Sequence, residues 1–298
     1  NVVRWMDEMD KGDVEVIMVK IDIISGFLGA GKTTLIKKLL QDAFKGQQVV
    51  LIENEVTIKV KLNNLIVTKE EEDLWIPLDD ISMIVMDNLS SMLSARLLCQ
   101  LSEQGIGLMI CNQKHLPTGY YSSYDNHSRA SKVIGYQIEK SKEYYEQLWR
   151  NIVTVKIQNQ SKAYFRLTND LEGTRMIEEF STGIMNGDKS NREAHAAKVY
   201  FNLLMGTSFS RGNEDILLNS GLDYGYAVLR GYIARVCVGY GLNTQIGIHH
   251  KNEYNRFNLV DDLMEPLRPL IDIVAYEVMK NEPYFTTVGK CFEYENIV

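Results

Sequence analysis

The chain lacks several features that would have announced its class. Only four cysteines occur in 298 residues (Cys99, Cys111, Cys237 and Cys291), far apart and with no Cys-x-x-Cys pair. That spacing excludes a disulfide framework and a cysteine-built zinc site, and it leaves buried or free thiols in a reducing cytoplasm. No apolar run reaches the length needed to cross a bilayer, so no membrane association is expected. The opening residues, Asn1-Val2-Val3-Arg4-Trp5-Met6-Asp7-Glu8, are too acidic and too broken for a signal peptide. Internal repeats and low-complexity tracts are absent too. Positive charge is in short supply: the formal net charge is −7, which argues against a general attraction to nucleic acid.

What remains is ordinary globular material, 45% hydrophobic and 24% charged, long enough to bury a substantial core in two domains. Its charge is unevenly spread. Between 125 and 166 eight basic residues (Arg129, Lys132, Lys140, Lys142, Arg150, Lys156, Lys162 and Arg166) face four acids. A second basic group, Lys189, Arg192, Lys198 and Arg211, surrounds Glu193. Either these groups are a mixed solvated helix face or they contact phosphates.

Read along its length, the chain begins with an apolar run over 16–24 that has strand character. Gly26-Phe27-Leu28-Gly29-Ala30-Gly31-Lys32-Thr33 follows, a full G-x-x-x-x-G-K-T loop. In such a loop backbone N–H groups cradle phosphate at Gly26 and Gly31, Lys32 reaches the terminal phosphates and Thr33 helps hold magnesium. A helix and a strand over 48–52 come next. From 58 to 110 the pattern is short strands with turns, and Asn63-Asn64 separates a hairpin's two arms. Runs at 81–86 and 107–111 are strands, with a helix-like stretch over 91–103 between them. Residues 115–128, rich in Gly, Pro, Tyr, Ser and His, read as a linker. Beyond 129 the chain is mostly helical, with breaks at 183–187 and near 239–247.

The chemistry-bearing residues are Glu193, His250, Asp262 and Glu265. Carboxylates with one imidazole suit magnesium or manganese, and hard cations of this kind serve phosphate chemistry. Asp262 and Glu265 are three apart and share a face if their segment is helical, although Pro266 biases Glu265 away from helical torsions. The plain alternative is a set of solvated carboxylates in surface ion pairs.

Several motifs together resemble the CRISPR-associated integrase of spacer acquisition in its type II form. They are Ile76-Pro77-Leu78-Asp79-Asp80-Ile81-Ser82, Asn112-Gln113-Lys114-His115-Leu116-Pro117-Thr118-Gly119, His127-Ser128-Arg129, Asn191-Arg192-Glu193, Leu222-Asp223-Tyr224-Gly225-Tyr226 and Glu265-Pro266-Leu267-Arg268-Pro269. The likeness runs from about 56 to 285 in unbroken order. It implies an α+β fold, a β-rich domain followed by a mostly α-helical catalytic domain. It also implies a metal-dependent DNA endonuclease and integrase that joins DNA 3′-OH ends to a repeat phosphodiester.

By this resemblance Glu193, His250 and Glu265 are the ligands of Mg2+ or Mn2+. Asp262 is a further acidic member, binding the metal or orienting His250. His249 competes with His250, and the family's spacing favours His250. Arg129, Lys132, Arg192 and Lys198 would hold double-stranded DNA by its phosphates. A homodimer and a small partner protein of the adaptation complex are also implied.

A second resemblance covers about 18–55, which is similar to the start of CobW-type P-loop GTPases, a family linked to metal delivery. The motifs that complete such a site, a guanine-recognising Asn-Lys-x-Asp among them, do not appear after Glu55. Asp87, at the end of an apolar run, is the best substitute for a magnesium-positioning acid, and a plain core strand is the other reading of that run. Nucleotide affinity is therefore expected to be poor. The expected organisation is 1–55 phosphate-loop segment, 56–114 β-rich domain, 115–128 linker, 129–285 helical catalytic domain and 286–298 unmatched tail. The outer edges read as foreign to the body, as in a fusion or fragment. A GTP-binding metallochaperone-like protein and an inactive DNA-binding remnant are the rival functions.

Overall fold

In the computed structural model, which describes residues 49–69, 72–113, 117–123, 127–211 and 217–281, the apolar runs become strands. These are β1 (Val49–Ile52), β2 (Thr57–Lys61), β3 (Asn64–Lys69), β4 (Glu72–Pro77), β5 (Met83–Met86), β6 (Met92–Leu93), β7 (Gly107–Cys111) and β8 (Pro117–Tyr121). One sheet has the order β1-β5-β7-β8 and the other β4-β3-β2-β6. In the first, β1, β5 and β7 run parallel and β8 lies antiparallel to β7.

That sheet explains why its strands read as unbroken hydrophobic runs. Successive side chains alternate between faces, and here both faces are buried. Leu51, Met83, Val85, Met109 and Cys111 join the core of the helical part. Val50, Ile52, Ile84, Met86 and Leu108 join a second core with Ile58, Leu65, Ile76, Leu97 and Leu101. Helix α1 (Ala95–Glu103) supplies Leu97 and Leu101, and it starts where Ser94 Oγ accepts the Leu97 N–H at 3.2 Å. Each such buried aliphatic side chain contributes about 1.5–3 kcal/mol.

Three details differ from the sequence reading. The hairpin between β2 and β3 turns on Leu62 and Asn63, with Lys61 opposite Asn64. Both turn residues have positive φ (50° and 58°), as a two-residue turn matching strand twist requires; Asn64 instead begins β3 and binds back to the Leu62 carbonyl at 2.6 Å. Residues 117–121, inside the stretch expected to be linker, form β8; as an edge strand it can begin with a proline that donates no ladder bond. Val49–Ile52, grouped by sequence with the preceding segment, pairs with β5. The phosphate loop with Gly26, Gly31, Lys32 and Thr33, and the tail 286–298, lie outside the described residues.

After 129 come α2 (Ala130–Glu139), α3 (Lys142–Thr168), α4 (Leu171–Glu179), α5 (Arg192–Met205), α6 (Leu217–Gly239), α7 (Asn258–Met264) and α8 (Arg268–Asn281). The 27-residue α3 is the axis of this part and packs against α4, α5 and α8. Trp149, Ile152, Val153, Lys156, Ile157, Asn159, Gln160 and Ala163 form its buried stripe, at the spacing that keeps one helix face inward. Helix α6 packs on β7 and β8. Its Gly231 admits the Met109 side chain where a Cβ would stand, and Arg235 Nε donates to the Gly105 carbonyl at 2.7 Å. Among the described residues no helix is long and apolar enough to cross a membrane.

Candidate active site

Glu193 sits in the first turn of α5. That turn is capped from outside the helix by Asp188, which is buried and left-handed (φ 48°). Its Oδ1 accepts the Arg192 N–H at 2.9 Å and its Oδ2 the Glu193 N–H at 3.0 Å. A carboxylate on otherwise unpaired helix-start donors also opposes the helix dipole favourably. Asp188 thereby fixes the backbone from which Glu193 projects.

Glu265 lies at the junction of α7 and α8, in a 3-10 turn with helical torsions (φ −52°, ψ −45°). This corrects the expectation that Pro266 would pull it out of helical geometry. Pro266 falls in the first turn of the new segment, where a missing N–H costs nothing. Asn159 of α3 anchors the junction by donating to the Pro266 carbonyl at 2.8 Å.

Lys156 joins these two carboxylates. Its Nζ donates to Glu193 Oε1, and to Glu265 Oε2 at 2.5 Å. The Lys156 side chain is 7% exposed, Glu265 8% and Glu193 28%. Arg268 holds the other oxygen of Glu265, Nε to Oε1 at 2.8 Å. Burial alone would raise the Glu265 carboxyl, but Lys156 and Arg268 outweigh it and keep it below the usual range. Burial likewise opposes the ammonium, yet Glu265 and Glu193 hold its pKa above the ordinary lysine value. Lys156 was counted with the surface bases by sequence; the structure removes it from any DNA-facing group.

The histidines come from a loop built on Asp262, which is 0% exposed. Its Oδ2 accepts the N–H groups of Ile248 (2.6 Å) and His249 (2.9 Å). Its Oδ1 takes the His250 N–H (3.2 Å) and lies 2.6 Å from His250 Nδ1. Both oxygens are engaged, and His250 Nδ1 is one of the four groups they hold. The bond to Asp262 raises the pKa of His250, with Glu265 adding to it. His249 instead stacks flat on buried Trp149, with centroids 4.3 Å apart and planes 6° apart. Asn258 stitches the loop shut with bonds to the Asn252 (2.9 Å) and Gln245 (3.2 Å) carbonyls.

Gly247 is where this loop cannot carry a side chain. A Cβ there would collide with the carbonyl oxygen of His250 and crowd Asp262 Oδ2 at 3.1 Å. Gly247→Ala is expected to lose about 1–3 kcal/mol, as overpacking does, because the His250 backbone must shift. Urea unfolding checks this; an unchanged midpoint would mean that the loop makes room for the methyl group without cost.

A cleft of about 630 Å³ opens beside His250, lined by Lys251, Asn252, Tyr254, Asn255 and Arg256. Among the expected DNA contacts, Arg129, Lys132 and Lys198 are exposed and Arg192 is half-buried. Lys132 also lies over the Tyr136 ring at 5.6 Å. Among the described residues no three His, Cys, Asp or Glu side chains are grouped so as to hold a metal ion. The donor chemistry nonetheless suits one, with two carboxylates converging on a single cation and a carboxylate-oriented imidazole at His250. Asp188, Lys156 and Arg268 escaped the sequence reading of the site.

Comparison with known proteins gives a consistent match. The family model for CRISPR associated protein Cas1 matches residues 49–284. A CRISPR-associated endonuclease Cas1 of Neisseria meningitidis serogroup C (strain 8013) is 37% identical over 226 residues, covering 76% of this chain and 74% of that protein. A solved Cas1 protein from Thermotoga maritima superposes with a TM-score of 0.61 at 19% identity, covering 77% and 79% of the two chains. A chain of a Cas6-RT-Cas1–Cas2 complex gives 0.62 at 19% identity, covering 80% of this chain but 28% of that longer one.

Proposed function

The chain belongs to the Cas1 family of CRISPR-associated endonucleases, and from that premise we propose that it inserts DNA into a CRISPR array with a divalent cation, Mg2+ or Mn2+, held by Glu193, His250 and Glu265. In this reaction the 3′ oxygen of an incoming DNA end forms a new bond to a repeat phosphorus while the phosphorus bond to the repeat's own 3′ oxygen breaks. The observation that carries the reading is the convergence of Glu193 and Glu265 on one cation.

When bound, such an ion supplies charge neutralisation on the reacting phosphate and eases ionisation of the attacking hydroxyl. The chain's own residues do the positioning. Asp262 holds the His250 imidazole by Nδ1, so that Nε2 would be the nitrogen offered to the ion. Arg268 holds Glu265 by one oxygen while the second is bonded to Lys156. Lys251 and Arg256 line the cleft beside His250, a path for the phosphate backbone. Arg129, Lys132, Arg192 and Lys198 extend that grip without reading bases. Family membership supports duplex DNA as substrate, a homodimer, a small partner protein and a cytoplasmic setting.

Strand transfer into a supercoiled plasmid, with and without Mn2+, tests the reading. Metal-dependent relaxed product is expected from the unaltered chain, and none from Glu193→Ala or Glu265→Ala folded to the same extent. Undiminished product from either variant would remove that carboxylate from the site.

A further inference from the structure

We propose that Lys156 is a positioning residue that stands in for the divalent cation: its ammonium holds Glu193 and Glu265 together and withdraws when the ion enters. This rests on the site reading above. Two carboxylates brought this close in a largely dry setting repel each other unless a cation lies between them. Lys156 Nζ provides it, bonded to Glu193 Oε1 and Glu265 Oε2.

Three features make it a placeholder as well as a structural ion pair. The ammonium is a compact point charge on a flexible stem, so it asks of carboxylates much what a metal ion asks, and it can retreat along its stem. Glu265 is held by two different oxygens: Arg268 takes Oε1 and Lys156 takes Oε2. Withdrawal of Lys156 therefore frees an oxygen for coordination while the carboxylate stays anchored. The helix beneath need not move, because Asn159, one turn along α3, keeps its bond to the Pro266 carbonyl.

The test compares Mn2+ binding by calorimetry and thermal melting, in chelator and in Mn2+, for the unaltered full chain, Lys156→Met and Lys156→Arg. Lys156→Met should melt lower in chelator, recover in Mn2+, and bind Mn2+ about tenfold more tightly or better, since the competing cation is gone and metal binding is linked to folding. Lys156→Arg should bind Mn2+ more weakly than the unaltered chain, because a guanidinium fork grips carboxylates by two parallel bonds. Folded Lys156→Met that binds Mn2+ no more tightly overturns the proposal. Should that variant fail to fold in chelator, refolding it in Mn2+ decides: recovery supports the proposal, and failure together with unweakened binding by Lys156→Arg overturns it. Glu193→Gln and Glu265→Gln separate the two readings. If neither lowers Mn2+ binding, the site assignment falls and the proposal with it; if both do while Lys156→Met changes nothing, the placeholder role alone is lost.

Discussion

His250→Ala is expected to abolish metal-dependent nicking and strand transfer, while His249→Ala keeps most of both. The two imidazoles are neighbours in sequence and both are exposed, yet their surroundings assign them different work. His250 is held through Nδ1 by a fully buried carboxylate, the arrangement that fixes tautomer and ring direction in metal-binding histidines. His249 covers Trp149, and its removal takes away a stacking contact of about 0.5–1.5 kcal/mol. Plasmid nicking in Mn2+ by the two purified variants separates these roles. A dead His249→Ala beside an active His250→Ala would reverse the ligand assignment.

Asp262→Asn should be nearly as damaging to catalysis and more damaging to stability. Asp262 accepts from three backbone N–H groups and from the imidazole while wholly buried. An amide of the same shape has one accepting oxygen, and its NH2 must face donors on the other side. Leaving buried donors unpaired and removing a bonded charge costs about 3–5 kcal/mol. The loop carrying His250 then loses its template, so strand transfer should fall to background even where the variant remains folded. Chemical denaturation gives the first quantity and the plasmid assay the second. Retained activity in a destabilised variant would mean that His250 is oriented without Asp262.

The positions of these groups were unequally legible in the sequence. Glu193, His250 and Glu265 came from resemblance, because spacing cannot distinguish a gathered carboxylate from a solvated one. Asp262 had two open roles there, and its four hydrogen bonds to a loop that is local in sequence but irregular in shape were not legible. Lys156 was misjudged by counting charge along a stretch. Its spacing from Trp149, Ile152, Val153 and Ile157 puts it on the apolar stripe of α3, and a charged residue in that position must be paired inside. Asp188 offered a fainter signal, an acid shortly before a helix start, disguised by its own left-handed backbone and that of Asn191. The strand over 117–121 was hidden by composition, since Pro and Gly are tolerated at a sheet edge where β7 supplies the pairing. The α+β order and the hairpin were plain because they rest on local periodicity.

The sheet buried on both faces has a mechanical consequence. Leu51, Val85 and Met109 share a core with the helices while their strand neighbours share one with the second sheet, and α6 is keyed onto β7 at Gly231. A hinge between these strands and the helices would have to open one of these cores, so the two are expected to move together, with matching amide-exchange protection as the check. On the proposed function, the curvature needed to bring a DNA end to Glu193 would then fall on the nucleic acid, and its own stiffness would enter target choice.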